Sequence, residues 1–201
     1  MKTYILGLLA ALFMMAGAAH AAVPTDPENT LYMQLKNGTV TIKLRPDLAP
    51  GHVARIKELT RSGFYDGIIF HRVIQGFMAQ TGDPTGTGRG GSGQNLKAEF
   101  SAESFKRGTV GMARADNPDS ADSQFFINFV DTPFLDGKYT IIGEVVDGMS
   151  YVDAIAKGEP PANPDKIISL KVAADAEGQQ TAPASASDAT AEAHPETQPA
   201  E

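Results

Sequence analysis

The chain has 201 residues, a formal net charge of -7 and neither Cys nor Trp. This length suits one domain with a full hydrophobic core and is short for two domains. The absence of Cys excludes disulfides, thiolate metal ligands, a Cys nucleophile and a lipid-anchored N-terminal Cys. The acidic balance argues against a nucleic-acid-binding domain, because such domains are usually strongly basic.

The N-terminal segment has the pattern of a secretory signal peptide. Lys2 supplies a minimal positive region, residues 5–16 are apolar and uncharged, and residues 19–21 read Ala-His-Ala, an A-x-A cleavage site. The apolar run of about 12 residues is shorter than the roughly 20 needed to span a bilayer. We therefore predict a signal peptide over residues 1–21, cleaved after Ala21, and a periplasmic protein without a membrane anchor. An uncleaved anchor is the alternative.

The C-terminal segment has the composition of a disordered tail. Residues 175–201 contain six acidic residues, no Lys or Arg, and no Leu, Ile, Val, Met or aromatic residue. Such a segment buries too little apolar surface to offset the entropy of ordering it. We predict a disordered, solubilising acidic tail, with a specific docking tail as the alternative. Residues 22–28 are then an N-terminal extension, and residues 29–174 are the folded domain, which is close to neutral.

The folded domain shows many short β-like runs and two helical patterns. Asn37-Gly38 predicts a hairpin turn. A helix is predicted from Pro50 to Gly63, and a second short helix over residues 149–156. This pattern predicts a closed antiparallel barrel or a sandwich and argues against a doubly wound α/β fold. The predicted strands cover residues 31–35, 39–44, 68–74, 77–81, 108–113, 124–129, 139–146 and 167–172.

A glycine-rich stretch matches a nucleotide-binding pattern without its context. Residues 86–91 satisfy G-x-G-x-x-G, but a dinucleotide site needs that pattern to open a helix. Six of the twelve residues over 82–93 are Gly, so we predict a surface loop and no nucleotide site. His52, His71 and His194 lack ligand spacing, so no metal site is predicted.

The segment over residues 70–83, FHRVIQGFMAQTGD, places a cation among apolar residues. Arg72 lies in a strand-like run, and Phe77 and Met78 begin the next. An arginine in such surroundings is costly unless its head reaches a partner or a groove. The alternative is an arginine that extends from the surface of the barrel into solvent.

This segment resembles the signature of the cyclophilin family of peptidyl-prolyl isomerases, and later segments resemble further family motifs in order. The resemblance runs from about Leu31 to Val172. Within the family, the sequence pattern is similar to that of bacterial single-domain cyclophilins. It implies a mainly β fold, a closed eight-stranded antiparallel barrel capped by two helices, with a hydrophobic proline groove on its outer surface. The later motifs are GMARA (111–115), SQFFI (123–127), FLDGKY (134–139) and GEVVDGM (143–149).

The resemblance implies cis-trans isomerisation of X-Pro bonds, which takes tens to hundreds of seconds uncatalysed. No bond breaks, so no cofactor or metal is expected. The twisted transition state leaves a lone pair on the proline nitrogen, and a donor aimed at it stabilises that state over the planar one. By resemblance, Arg72 is this donor, Gln80 orients it, and Phe77 completes the catalytic set. The implied substrate-binding residues are Met78, Ala113, Arg114, Ala115, Gln124, Phe126, Phe134, Leu135 and Tyr139.

Three of these positions depart from the best-known eukaryotic members. Phe134 stands in place of Trp, Tyr139 in place of His, and Arg114 in place of Asn. Without the indole N–H donor, we expect only weak cyclosporin binding. Arg114 adds a charge near the groove, which is expected to bias the residues preferred beside proline.

Two other function classes stay open at this stage. The same groove would hold proline segments in a chaperone or scaffold that needs no turnover. A hydrolase or nucleotide enzyme using the glycine-rich loop is the other class, and the missing nucleophile and phosphate motifs count against it. The expected partners are proline-containing unfolded or flexible polypeptides, with no nucleic acid, and the expected state is a monomer.

Overall fold

The computed structural model describes residues 25–180, so the predicted signal peptide and most of the predicted tail lie outside the described residues. Eight strands form between Thr30 and Val172. They are β1 (Thr30–Leu35), β2 (Gly38–Leu44), β3 (Arg72–Ile74), β4 (Met78–Thr81), β5 (Thr109–Met112), β6 (Phe125–Asn128), β7 (Ile141–Asp147) and β8 (Ser169–Val172). The helices are α1 (Pro50–Arg61), α2 (Met149–Asp153) and α3 (Ala173–Gln180), with short 3-10 turns at Pro27–Asn29, Pro118–Ser120 and Pro133–Leu135.

The eight strands form one antiparallel sheet in the order β3-β4-β6-β5-β7-β2-β1-β8. Within residues 25–180, the outer strands β3 and β8 do not pair in a ladder. Instead, the segments that precede them meet at an isolated bridge between Ile69 and Lys166. The Gly67 N–H also donates to the Ile167 carbonyl at 2.7 Å, and the Ile167 N–H donates to the Ile68 carbonyl at 2.9 Å. The predicted strand number and direction are confirmed, whereas the sheet lacks a continuous closing ladder.

The main hydrophobic core lies between this sheet and its helices. On β2, alternate residues Val40, Ile42 and Leu44 are buried, as the period-2 pattern predicts. On α1, Val53 and Ile56 lie one turn apart and enter the same core. The start of α1 at Pro50 agrees with the prediction, because proline suits the first turn of a helix.

The β1–β2 turn lies one residue before its predicted place. Leu35 pairs with Gly38, so Lys36 and Asn37 form the two-residue loop and Gly38 begins β2. Gly38 has φ +153°, and a Cβ there would lie 2.4 Å from Cζ of Tyr151. Glycine is therefore needed at Gly38 because the tyrosine ring packs directly on its backbone.

Other boundaries also differ from those predicted. The run over residues 68–74 forms a ladder strand only from Arg72, because its first half bonds to the segment before β8. The helix predicted over residues 149–156 ends at Asp153. These elements are shorter than predicted because backbone groups at their ends form hydrogen bonds with residues distant in sequence.

The ordered chain continues past Ala174, where the sequence places the end of the domain. Helix α3 runs on to Gln180, and Ala173 in its first turn is fully buried. Asp175 accepts a hydrogen bond from Nε of Arg61 at 3.0 Å. The first residues of the predicted tail therefore form a helix against the domain. In the described part of the chain, no helix has the length and apolar character to cross a membrane.

Candidate active site

Strand alternation separates two apolar clusters on opposite faces of β4 and β6. Ala79 and Ile127 pair across these strands and point into the main core. Their neighbours Met78 and Phe126 belong to a second cluster, which also contains Leu135. Because adjacent residues on a strand face opposite sides, this second cluster lies outside the main core. The residues implied for proline binding therefore share one outer face.

The strand register places the arginine beside the aromatic floor of that face. Arg72 on β3 pairs with Gln80 on β4, and Gln80 pairs with Phe126 on β6. Phe126 then pairs with Gly111 on β5. A Cβ at Gly111 would lie 2.5 Å from the Phe126 ring and 2.6 Å from the Phe105 ring. Gly111 is thus the residue that leaves room for two stacked rings beneath the site.

A groove of about 1020 Å³ opens over this row. It contains ten of the twelve predicted site residues: Arg72, Phe77, Met78, Gln80, Ala113, Arg114, Phe126, Phe134, Leu135 and Tyr139. The other two, Ala115 and Gln124, line an adjoining hollow of about 600 Å³. The two spaces share Gln80 and Arg114 on their walls, so the predicted residues form one continuous surface.

The groove has a buried apolar floor and an exposed aromatic rim. Met78 and Phe126 are 1% and 5% exposed, whereas Phe134 is 60% exposed. The Phe134 ring lies 5.5 Å from the Phe77 ring, and the Tyr139 ring meets Phe126 edge-on at 6.0 Å. Such aromatic walls suit a compact apolar ring such as that of proline.

Arg72 lies at the edge of the groove, with its side chain 41% exposed. Its Nη1 lies 3.4 Å from Oε1 of Gln80, and its Nε donates to Oε2 of Glu159 at 2.8 Å. The arginine head therefore reaches two partners beside an apolar surface. This arrangement differs from the alternative of an arginine that extends into solvent.

The amide of Gln80 belongs to a chain of hydrogen bonds that ends in the glycine-rich loop. Gln80 donates from Nε2 to Oε1 of Gln124 at 2.8 Å. Gln124 donates in turn to the Gly88 and Gly90 carbonyls, at 3.1 and 2.8 Å. The loop therefore supports the site through its backbone, which the sequence does not reveal.

Asp83 holds the glycine-rich loop in shape. Its buried carboxylate accepts backbone N–H bonds from Thr85, Thr87, Gly88 and Gly90, at 2.6 to 3.1 Å. Burial disfavours the charged form, but the hydrogen bond from the Thr85 hydroxyl and these backbone N–H bonds outweigh burial and lower the pKa of Asp83 to about 2. The loop is a folded support for Gln124, and no helix opens at its G-x-G-x-x-G pattern.

Arg114 lines the groove as expected and also makes contacts that the sequence does not predict. Its guanidinium donates to the backbone carbonyls of Ala115, Asp116 and Lys138 and lies 4.6 Å from the centre of the Tyr139 ring. The cation is therefore occupied by backbone and aromatic partners. It braces the Tyr139 wall, and this contact gives it a structural task besides any effect on neighbouring substrate residues.

Several groove residues were not predicted as site residues. Burial lowers the pKa of His71, which favours a neutral imidazole on the groove wall. Lys138, Glu159 and Pro160 also line the groove. Lys138 lies within the family-like motif over residues 134–139, so its place in the groove could have been predicted from the sequence. Glu159 follows the last quoted motif, and only the tertiary fold brings it to Arg72. Among residues 25–180, no cluster of His, Asp and Glu has the composition of a metal site.

Known proteins are similar to this sequence over the whole folded domain. Residues 30–172 match the family model of cyclophilin type peptidyl-prolyl cis-trans isomerase/CLD. A probable peptidyl-prolyl cis-trans isomerase of Brucella suis biovar 1 is 52% identical over 193 residues, covering 86% of this chain and 98% of that protein. Peptidyl-prolyl cis-trans isomerase B of Bacillus subtilis is 40% identical over 133 residues, covering 65% and 92%.

Solved structures share the fold. A cyclophilin from Hirschia baltica has a TM-score of 0.68 at 29% identity, covering 75% of this chain and 76% of that one. A cyclophilin type isomerase from Cryptosporidium parvum, solved in the presence of the dipeptide Ala-Pro, has a TM-score of 0.66 at 30% identity, covering 71% and 98%. Sheet and groove together define a mainly β protein with an apolar groove on its outer face. The chain belongs to the cyclophilin-type peptidyl-prolyl cis-trans isomerase family.

Proposed function

We propose that this protein accelerates X-Pro bond rotation in exported polypeptides during their folding, with Arg72 as the catalytic donor. The observation that carries the proposal is the row formed by Arg72, Gln80 and Phe126 on three adjacent strands. It sets a fixed cation beside a buried apolar floor. A proline ring on that floor brings its nitrogen close to the guanidinium.

The chemistry follows from the difference between the planar and twisted amides. Rotation breaks the conjugation that gives the peptide bond a barrier of about 18–20 kcal/mol. The nitrogen lone pair is then free to accept a hydrogen bond, which the planar ground state does not offer. A charge-assisted bond from Arg72 contributes roughly 1.5–3 kcal/mol. The apolar surroundings strengthen this electrostatic effect, because they exclude water from the reacting bond.

The binding residues have separate tasks in this proposal. Met78, Phe126 and Leu135 hold the proline ring, and Phe77 and Phe134 close the rim. Gln80 keeps its carbonyl towards Arg72. Ala113, Ala115 and Gln124 line the path of the flanking peptide backbone.

The exported setting is proposed from the sequence. The signal-peptide pattern over residues 1–21 supports export, and residues 175–201 support solubility through their negative charge. We propose a periplasmic monomer whose clients are unfolded or flexible chains containing proline. Cyclosporin binding is expected to be weak, because Phe134 offers no N–H donor.

The test is isomerisation of a proline peptide by the mature protein, measured by NMR exchange at several peptide concentrations. We expect Arg72→Ala to lower kcat/KM by roughly 10²–10³-fold, as for removal of one preorganised donor. Arg72→Lys should rescue poorly, because a point charge lacks the planar fork of the guanidinium. Circular dichroism should show a native fold, since Arg72 lies at the groove edge.

Two outcomes would contradict the proposal. A folded Arg72→Ala protein with near-normal exchange would remove Arg72 from the mechanism. A wild-type protein that binds the peptide without accelerating exchange would favour the chaperone or scaffold function instead.

A further inference from the structure

Glu159 contacts Arg72 from a part of the chain that follows the last family-like motif, which ends at Met149. The Arg72 Nε donates to Glu159 Oε2 at 2.8 Å, across 87 residues of sequence. The only other hydrogen bond of this guanidinium within residues 25–180 runs from Nη1 to Gln80 at 3.4 Å. The Nε is thus taken up by the protein, and Nη2 is left for a substrate.

The position of Glu159 is fixed by backbone pairing. Its neighbour Gly158 exchanges two hydrogen bonds with Val73, each 2.8 Å long, and Val73 follows Arg72 on β3. Gly158 has φ +148°, and a Cβ there would lie 2.6 Å from Cα of Pro161. This close approach requires glycine. The carboxylate therefore meets Arg72 because two backbones are paired beside it.

The contact has little value as a stabilising ion pair. The Arg72 and Glu159 side chains are 41% and 53% exposed, and exposed pairs contribute little to folding. Its effect on geometry is larger. A long arginine side chain samples many rotamers unless its head is held. Because the guanidinium is planar, a bond at Nε together with Gln80 at Nη1 fixes the plane in which Nη2 points.

We propose that Glu159 is a positioning residue for the isomerisation reaction. It holds the Arg72 guanidinium through Nε and so aims the remaining N–H groups at the proline nitrogen as the amide twists. Catalysis depends on this pre-set direction, because misplacing a reacting group by about 1 Å costs as much as 10²-fold in rate. The inference rests on the proposed role of Arg72 as the donor.

The test compares three variants of the mature protein by NMR exchange at several peptide concentrations. We expect Glu159→Ala to lower kcat about 10-fold with KM changed less than about 2-fold, because positioning is lost and the groove is intact. Glu159→Gln keeps an acceptor for Nε and should stay within about 3-fold of the wild type. In an Arg72→Ala background, Glu159→Ala should have no further effect, since the two residues act as one unit.

Glu58→Ala is the matched control. Glu58 is an exposed acid on α1 that pairs with Arg55 outside the groove, so its removal changes net charge equally. Thermal unfolding of Glu159→Ala should match that of the wild type. Unchanged or raised kcat in Glu159→Ala, or an undiminished effect in the Arg72→Ala background, would overturn the inference. If Arg72→Ala itself exchanges normally, the proposed function of Arg72 fails, and the inference with it. If Arg72→Ala isomerises the peptide slowly and Glu159→Ala isomerises it at the wild-type rate, the role of Glu159 is overturned and the proposed role of Arg72 stands.

Discussion

The side-chain amide of Gln80 donates to that of Gln124 over 2.8 Å, and this bond connects the arginine edge of the groove with the glycine-rich loop. Gln124 is itself held by the Gly88 and Gly90 carbonyls. With its NH2 group committed to Gln124, Gln80 presents its carbonyl oxygen to Arg72. The orientation of Gln80 is therefore determined by a loop on the far side of the site.

Gln124→Leu should weaken catalysis through Gln80. The variant keeps side-chain size but removes the acceptor that fixes the Gln80 amide. We expect kcat/KM to fall about 5-fold, the equivalent of one hydrogen bond of about 1 kcal/mol. Exchange NMR on a proline peptide measures this. Gln75→Leu is the control, because Gln75 is exposed on the β3–β4 turn. Equal rates for Gln124→Leu and the wild type would contradict the proposed link.

Asp83→Asn should remove a pH-dependent part of the stability. The pKa of this carboxylate is about 2 in the folded protein, below its ordinary value of 3.8, so the charged form stabilises the fold above about pH 4. That contribution is lost as the pH falls towards 2. An amide in its place also turns a donor towards backbone N–H groups.

Urea unfolding at several pH values tests this. We expect the free energy of unfolding of Asp83→Asn to lie roughly 2 kcal/mol below that of the wild type at pH 7. The difference should shrink below pH 4. Asp116→Asn, which removes an exposed acid, serves as the control. A difference that stays constant from pH 7 to pH 2 would show that the charge of Asp83 is not responsible.

Phe134→Trp should strengthen cyclosporin binding. Phe134 is 60% exposed on the groove rim, so an indole fits there without disturbing the core. It adds one N–H donor and ring area, and we expect binding about 5- to 10-fold tighter by calorimetry. Val146→Trp adds an indole at an exposed position outside the groove and should change nothing. Equal affinities of Phe134→Trp and the wild type would argue against Phe134 as a contact.

Two C-terminal truncations should differ slightly in their effect on thermal stability. Removal of residues 181–201 should leave the melting temperature unchanged, because that segment has no large apolar residue to bury. Ending the chain at Ala174 also removes the Arg61–Asp175 ion pair and should cost at most about 1 kcal/mol. Thermal unfolding at low and high salt separates the two, since salt screens an exposed pair. A large loss from the first truncation would mean that residues 181–201 contribute to the fold.

The sequence predicts those features that depend on local pattern. Alternation along β2 and helical spacing in α1 place residues such as Ile42 and Ile56 in the core. The family motifs place Arg72 and Phe126 in one groove, because both lie in runs of characteristic residues. The core positions are encoded within a few neighbouring residues, whereas the shared groove of Arg72 and Phe126 follows from the resemblance to the family.

Features that depend on contacts between distant segments could not be predicted. Glu159 reaches Arg72 only because Gly158 pairs with Val73. Gly38, the first residue of β2, lies against the ring of Tyr151, which is more than a hundred residues away in sequence. Neither contact leaves a periodic or compositional trace near the residues concerned.

The border of the sheet at the Ile69–Lys166 bridge is held by single backbone hydrogen bonds and not by a ladder, so we expect it to open before the strands that pair in ladders. Hydrogen bonds outside a continuous ladder break in local fluctuations of low free energy, and their amides exchange early with solvent. The Gly158–Val73 pairing lies on the same border of the sheet, so such an opening also separates Glu159 from Arg72. We therefore expect heating to reduce turnover before the main core unfolds, because this opening releases the carboxylate that holds Arg72.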